Sequence, residues 1–235
     1  MFGLFKSKPI LDSFYLAHKV TADREPLLCI GALLIETNQF RDSLTLLSRW
    51  PSKELATLLG NAWDIDDRDS AKDLLEDLLL LPVLQNNKEI ISDVLIKKHA
   101  VQDLIVNDLL IDGYLFDSIG RTCKKAFNAR QIVFTRPGFD ALTNIASWDI
   151  ERAGLIVRYA YNVSWLTEAE AFSYLERLYT LVKENYTSWL DYYLSYLKGR
   201  ALLFDQSLGD SYDYILYLND MYLNEDFFCL KYALS

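Results

Sequence analysis

Trp148, Asp149 and Arg152 come closest, in type and spacing, to a recognition site. An aspartate and an arginine three positions apart share one face of a helix and can pair across a turn. An indole four residues before the arginine can cover the guanidinium stem. Arg158 extends the same segment. Paired and packed, the group is structural: a helix-start aspartate, its arginine and a core tryptophan. Left open in a cleft, joined by Arg200 from further along the chain, it would recognise an anionic group. Trp63-Asp64-Ile65 repeats the tripeptide Trp148-Asp149-Ile150, and each copy is followed by an arginine, Arg68 or Arg152. The spacing to that arginine differs by one residue, so the copies do not amount to a duplication.

Other chemistry is harder to find. The two histidines, His18 and His99, are far apart, and the sequence has no HExxH, GxSxG or phosphate-cradling glycine loop. The run Asp64 to Asp69 outwardly resembles a calcium loop. Arg68, however, takes the third ligand place, and Leu75 stands where a bidentate glutamate belongs. Aspartates at a helix start favour the dipole without any metal. No metal and no cofactor is expected, and nothing nominates a catalytic pair.

The elements that must position these residues read as helices. Of 235 residues 51% are hydrophobic and 24% charged, with only 9 Gly and 5 Pro, too few turn formers for a sandwich or barrel. Pro26 suits a helix first turn before the apolar stretch Leu27 to Ile35. Ser52 can cap a helix that Gly60-Asn61 ends, and Asp66 or Asp67 can cap the next, with Ala71, Leu74, Leu75, Leu78 and Leu79 at helical spacing. Helical segments are expected over about 88–110 and 112–130, then one short strand within 131–135 before the turn Pro137-Gly138. A long helical segment follows over 139–163, with a kink near Ser147. Thr167-Glu168-Ala169-Glu170 is a capping box for a helix to about Asn185. Thr187 or Ser188 opens another ending near Phe204, and the aromatic tail Tyr212 to Tyr232 is helical and packs back on the body. The expected fold is all-α, a multi-helix single domain over 1–235.

Net charge is −9, which disfavours a phosphate backbone as partner and suits a basic protein. The cationic group Arg121, Lys124, Lys125 and Arg130 reads as a solvated helix face. Cys29, Cys123 and Cys229 sit among apolar neighbours without a CxxC pair, as buried free thiols in a reducing compartment do. The most apolar run, Leu74 to Leu84, contains Glu76, Asp77 and Pro82 and falls short of the ~20 residues that span a bilayer. These features imply a cytoplasmic protein with no membrane span.

Over residues 55–204 the chain resembles a bacterial family, the YbeU/YbeR-like family 1266 of the domains of unknown function. The resemblance rests on Trp63 and Ile65, on Trp148, Asp149 and Arg152, on Glu168 to Ala171, on Trp189, and on Gly199-Arg200. It implies a helical bacterial protein and assigns no activity. The binding positions it points to are Trp63, Asp64, Trp148, Asp149, Arg152, Trp189 and Arg200, and the tail after Gly209 reads as peculiar to this chain.

Two functions are compatible with these residues. The first is a non-catalytic binding protein acting by protein–protein contact, in its sharpest form an immunity protein that neutralises a bacterial toxin. Its contact residues would be Asp205, Asp210, Tyr212, Asp213 and Tyr217, in a region rich in interface-forming tyrosine. The second is a small-molecule site or an enzyme that recognises an anion around Trp148, Asp149, Arg152 and Arg200.

Overall fold

Short apolar runs separated by capping residues dictate a succession of helices. The computed structural model of the protein describes residues 11–38, 42–85, 104–106, 109–111, 144–203, 214–219, 221 and 232–234. Helix α1 (Ser13–His18) opens on Asp12, whose carboxylate accepts the Phe14 and Tyr15 N–H groups. A 3₁₀ turn over Glu25–Cys29 holds Pro26 in its first turn and leads through Ile30 and Gly31 into α2 (Ala32–Thr37). Then come α3 (Ser52–Trp63) and α4 (Arg68–Leu79). Strands β1 (Leu104–Val106) and β2 (Leu109–Ile111) pair antiparallel with Leu104 opposite Ile111. The second half supplies α5 (Ser147–Asn162), α6 (Glu168–Asn185) and α7 (Trp189–Leu203), with a further helical turn over 214–219.

The fold is all-α in character; among the described residues, strand pairing is confined to this hairpin and an isolated antiparallel bridge between Ser188 and Ala233. Capping decides several boundaries. Asp67, rather than Asp66, caps α4 by accepting from the Ser70 N–H, and Thr167 with Glu170 forms the expected box at α6. Ser188 accepts the Asp191 N–H at the start of α7.

Five expectations are corrected. Within the segment expected to be helical over 139–163, residues 144–146 are not helical: Asn144 accepts the Ala146 N–H through its side chain and the helix starts at Ser147. The apolar stretch Leu27 to Ile35 is not one helix, because Gly31 adopts φ 82° between the 3₁₀ turn and α2. Ser52 does not cap α3; its hydroxyl donates to the Asn162 carbonyl instead. Gly60-Asn61 does not end α3, which runs on to Trp63 and stops where Asp64 turns left-handed. Residues 104–106 and 109–110 form strands, not the end of a helix. The expected strand at 131–135, the cationic residues between 121 and 130, Cys123 and Cys229 lie outside the described residues.

Helix α5 is the centre of the arrangement. Thirteen of its residues are buried, and it packs against α2, α3, α4, α6 and α7. A helix enclosed on all sides is normally apolar all round. This one carries Asp149, Glu151 and Arg158 into the interior, at 0%, 0% and 1% exposure. What those charges touch defines the candidate site.

Candidate functional site

On the side of α5 toward α3 and α4, Arg152 ties both tripeptides together. Its guanidinium pairs with Asp149 one turn back, and its Nε donates to the Trp148 carbonyl at 3.0 Å. The guanidinium carbon lies 4.6 Å from the centre of the Trp148 ring and 5.7 Å from that of Trp63. The second Asp149 oxygen accepts the Val83 N–H at 3.1 Å, satisfying a free donor at the start of the helical turn over 82–85. Burial pushes the Asp149 carboxyl up from its usual range, against the opposing pull of Arg152.

The two tripeptides therefore meet at one cation although their local structures differ. Trp63 ends a helix and Asp64 is exposed at φ 56°, its N–H bonded to the Gly60 carbonyl. Trp148 and Asp149 open a helix and are buried. Arg68, the arginine after the first copy, turns to Glu170 at 2.6 Å and to the Trp165 carbonyl.

Trp148 also stacks on Tyr196 of α7, with ring centres 5.5 Å apart. Gly199 makes that approach possible, since a Cβ there would lie 2.8 Å from the Trp148 Cβ. At the next position the Arg200 guanidinium sits 3.9 Å above the Tyr214 ring. Trp189 is 1% exposed among Tyr179, Tyr192 and Tyr193. Of the tail residues, Tyr217 is half-buried on the 214–219 turn. Asp205, Asp210, Tyr212 and Asp213 lie outside the described residues.

The opposite side of α5 holds a residue that motif reading passed over. Glu151 accepts the Gly31 N–H at 2.8 Å, the Leu34 N–H at 3.2 Å and the Tyr192 hydroxyl at 2.6 Å. Burial pushes its carboxyl up to about 7, although these hydrogen bonds favour the charged form. Charge repulsion from Glu151 and burial together raise the Tyr192 phenol well above its ordinary value, burial being the larger cause. Further along, Arg158 donates to the carbonyls of Leu28, Asp42, Ser43 and Thr45 and so gathers the 42–45 turn onto the helix. The indentation beside it, bounded by Ile35, Asp42, Leu47, Arg158 and Asn162 among others, is too narrow to admit a water molecule.

A signal for Glu151 was available. At 100° per residue, positions 149, 151, 152 and 158 do not share a face, and the residues between them are almost all apolar. Charges scattered around an apolar helix have no common solvated side, so some must be buried and partnered.

The sequence model of a family described as "Protein of unknown function (DUF1266)" matches residues 58–224. The chain belongs to the DUF1266 family. No curated protein and no solved structure matches it. The DUF1266 region takes in both tripeptides, α4 to α7 and the turn over 214–219. It therefore extends past Gly209, which corrects the expectation that the tail is peculiar to this chain. Gly31 and α2, which supply the Glu151 donors Gly31 N–H and Leu34 N–H, precede the matched region.

Proposed function

We propose that the protein is a non-catalytic binding protein that works through contact with a basic protein partner. The supporting observation is the outward face of α4. Asp69, Asp73 and Asp77 recur there at four-residue intervals and are exposed, beside exposed Asp66, and the row ends at Leu80, which is 70% exposed. The inward face carries Ala71, Leu75 and Leu78. None of these aspartates has an ion-pair partner among the described residues. The helix's own cations face the other way: Arg68 and Lys72 both bind Glu170, at 2.6 and 2.7 Å. Lys72 above all, with the Thr167 cap and Arg68, holds the Glu170 carboxyl down at about 2.

Like charges at i,i+4 weaken a helix, and a cationic surface laid along the row would relieve that repulsion while covering Leu80. An acidic field also speeds encounter with such a partner. The sharpest form of this reading is an immunity protein meeting a basic bacterial toxin in the cytoplasm, an analogy with other small acidic proteins. The alternative, an anion site at Trp148, Asp149, Arg152 and Arg200, gains no support from a guanidinium already engaged by Asp149 and flanked by indoles.

The test is affinity purification of the tagged wild type and of the Asp69→Lys/Asp73→Lys/Asp77→Lys variant from the native host. One stoichiometric protein should accompany the wild type at low salt, leave it at high salt, and be missing from the variant. Retention of the same protein by a folded variant would remove α4 as the contact face.

A further inference from the structure

The seam between α5 and the Ile30–Leu34 segment leaves no room for a side chain at either of its two glycines, Gly31 and Gly154. A Cβ on Gly31 would lie 2.6 Å from the Leu155 nitrogen, and one on Gly154 would lie 2.6 Å from the Ile30 Cγ2 and 2.7 Å from the Ile30 carbonyl carbon. Backbone therefore presses on backbone, and the polar groups exposed there converge on one carboxylate. Glu151 is fully buried, takes the Gly31 and Leu34 N–H groups and the Tyr192 hydroxyl, and has no cation partner among the described residues.

We propose that Glu151 and Tyr192 form a proton-controlled latch, which holds the Gly31–Leu34 turn more tightly on α5 when the Glu151 carboxyl carries a proton and loosens as it ionises. The 2.6 Å contact with the phenol serves both states. Ionised, the carboxylate accepts from the phenol; protonated on Oε1, the acid still accepts from the phenol and from the Gly31 N–H through Oε2, though less strongly. The charged form is desolvated without a counter-ion, a cost that opening to water removes.

The groups around the latch do not supply the missing charge. On α5, Arg152 is committed to Asp149, and Arg158 donates to the carbonyls of Leu28, Asp42, Ser43 and Thr45. On α7 the titratable groups nearest the latch are Tyr192, Tyr193, whose hydroxyl donates to the Cys29 carbonyl at 2.6 Å, and Tyr196, with Tyr186 beside Tyr192; the buried Lys198 stands on the same helix but makes no hydrogen bond or ion pair with Glu151. On the 3₁₀ turn, Glu25 accepts from Tyr15 and Tyr232 and Cys29 is a buried thiol, which carries no positive charge, and on α2, Glu36 accepts from Ser43.

An exposed glutamate titrates around 4.5, whereas burial moves this one to about 7. The closed form thus binds the proton more tightly than the open form, and closure weakens as pH rises through that window, levelling off above it. Amide hydrogen exchange at Gly31 and Leu34, corrected for intrinsic rates, should show an opening constant that rises roughly fortyfold from pH 5 to pH 7. A flat profile in the wild type, or the same slope in Glu151→Gln, would overturn the proposal. Should Glu151→Gln not fold, carboxyl carbon NMR of the wild type decides. A Glu151 midpoint near 7 that moves up in Tyr192→Phe is expected, because the phenol's bond favours the charged form. A midpoint below about 5, or one indifferent to Tyr192→Phe, would overturn the latch.

Discussion

Asp149 and Glu151 stand two residues apart on the same helix, point to opposite sides of it, and are equally buried. Asp149 has a guanidinium, itself steadied by two indoles, and one backbone N–H. Glu151 has two backbone N–H groups and a phenol. Both carboxyls are pushed up from their usual range, and for both the largest cause is burial. A close ion pair does not by itself bring a buried carboxylate back to ordinary behaviour, because desolvation of both partners competes with their attraction. The counter-ion changes something else, namely what happens when a partner is lost.

Glu151→Ala should show the largest effect. It strands the Gly31 and Leu34 donors and the Tyr192 hydroxyl in the interior and leaves a cavity, so urea denaturation should register a loss of about 3–5 kcal/mol. A loss under about 1 kcal/mol would mean that the seam relaxes or admits water, and the contrast with Asp149 would collapse. Arg152→Ala is next. It strips Asp149 of its cation and makes it a second carboxylate of the Glu151 kind. Stability should fall by about 2–3 kcal/mol, below the range for breaking a fully buried pair, because Arg152 is 20% exposed and water can partly replace it. A melting temperature that is unchanged or higher would instead point to an arginine kept for a ligand. Asp149→Asn should be mildest, about 1–2 kcal/mol by thermal denaturation, since the amide oxygen still accepts the Val83 N–H while the charge attraction is lost. If it equals Glu151→Ala, the ion pair matters more than the comparison allows.

Much of the helical plan was legible from local chemistry. The box at Thr167 and Glu170, the spacing of Ala71, Leu75 and Leu78, and the pairing of Asp149 with Arg152 all depend on residues within a turn of each other. Features that depend on distant neighbours were not legible. Gly31 breaks the run Leu27 to Ile35 because Gly154 lies against it, and α3 outruns Gly60-Asn61 to a left-handed Asp64. Ser52 caps nothing because Asn162 offers it a carbonyl. Glu151 was hidden for the same reason: its donors are contributed by residues as far as 120 positions away.

That separation sets a schedule for synthesis. The stretch Leu27 to Ile35 is made before the helix that shields it, which follows about 120 residues later. At ribosomal rates this is a delay of roughly 6 to 24 s. Throughout that interval the segment lacks the cover that α5 gives it in the folded protein.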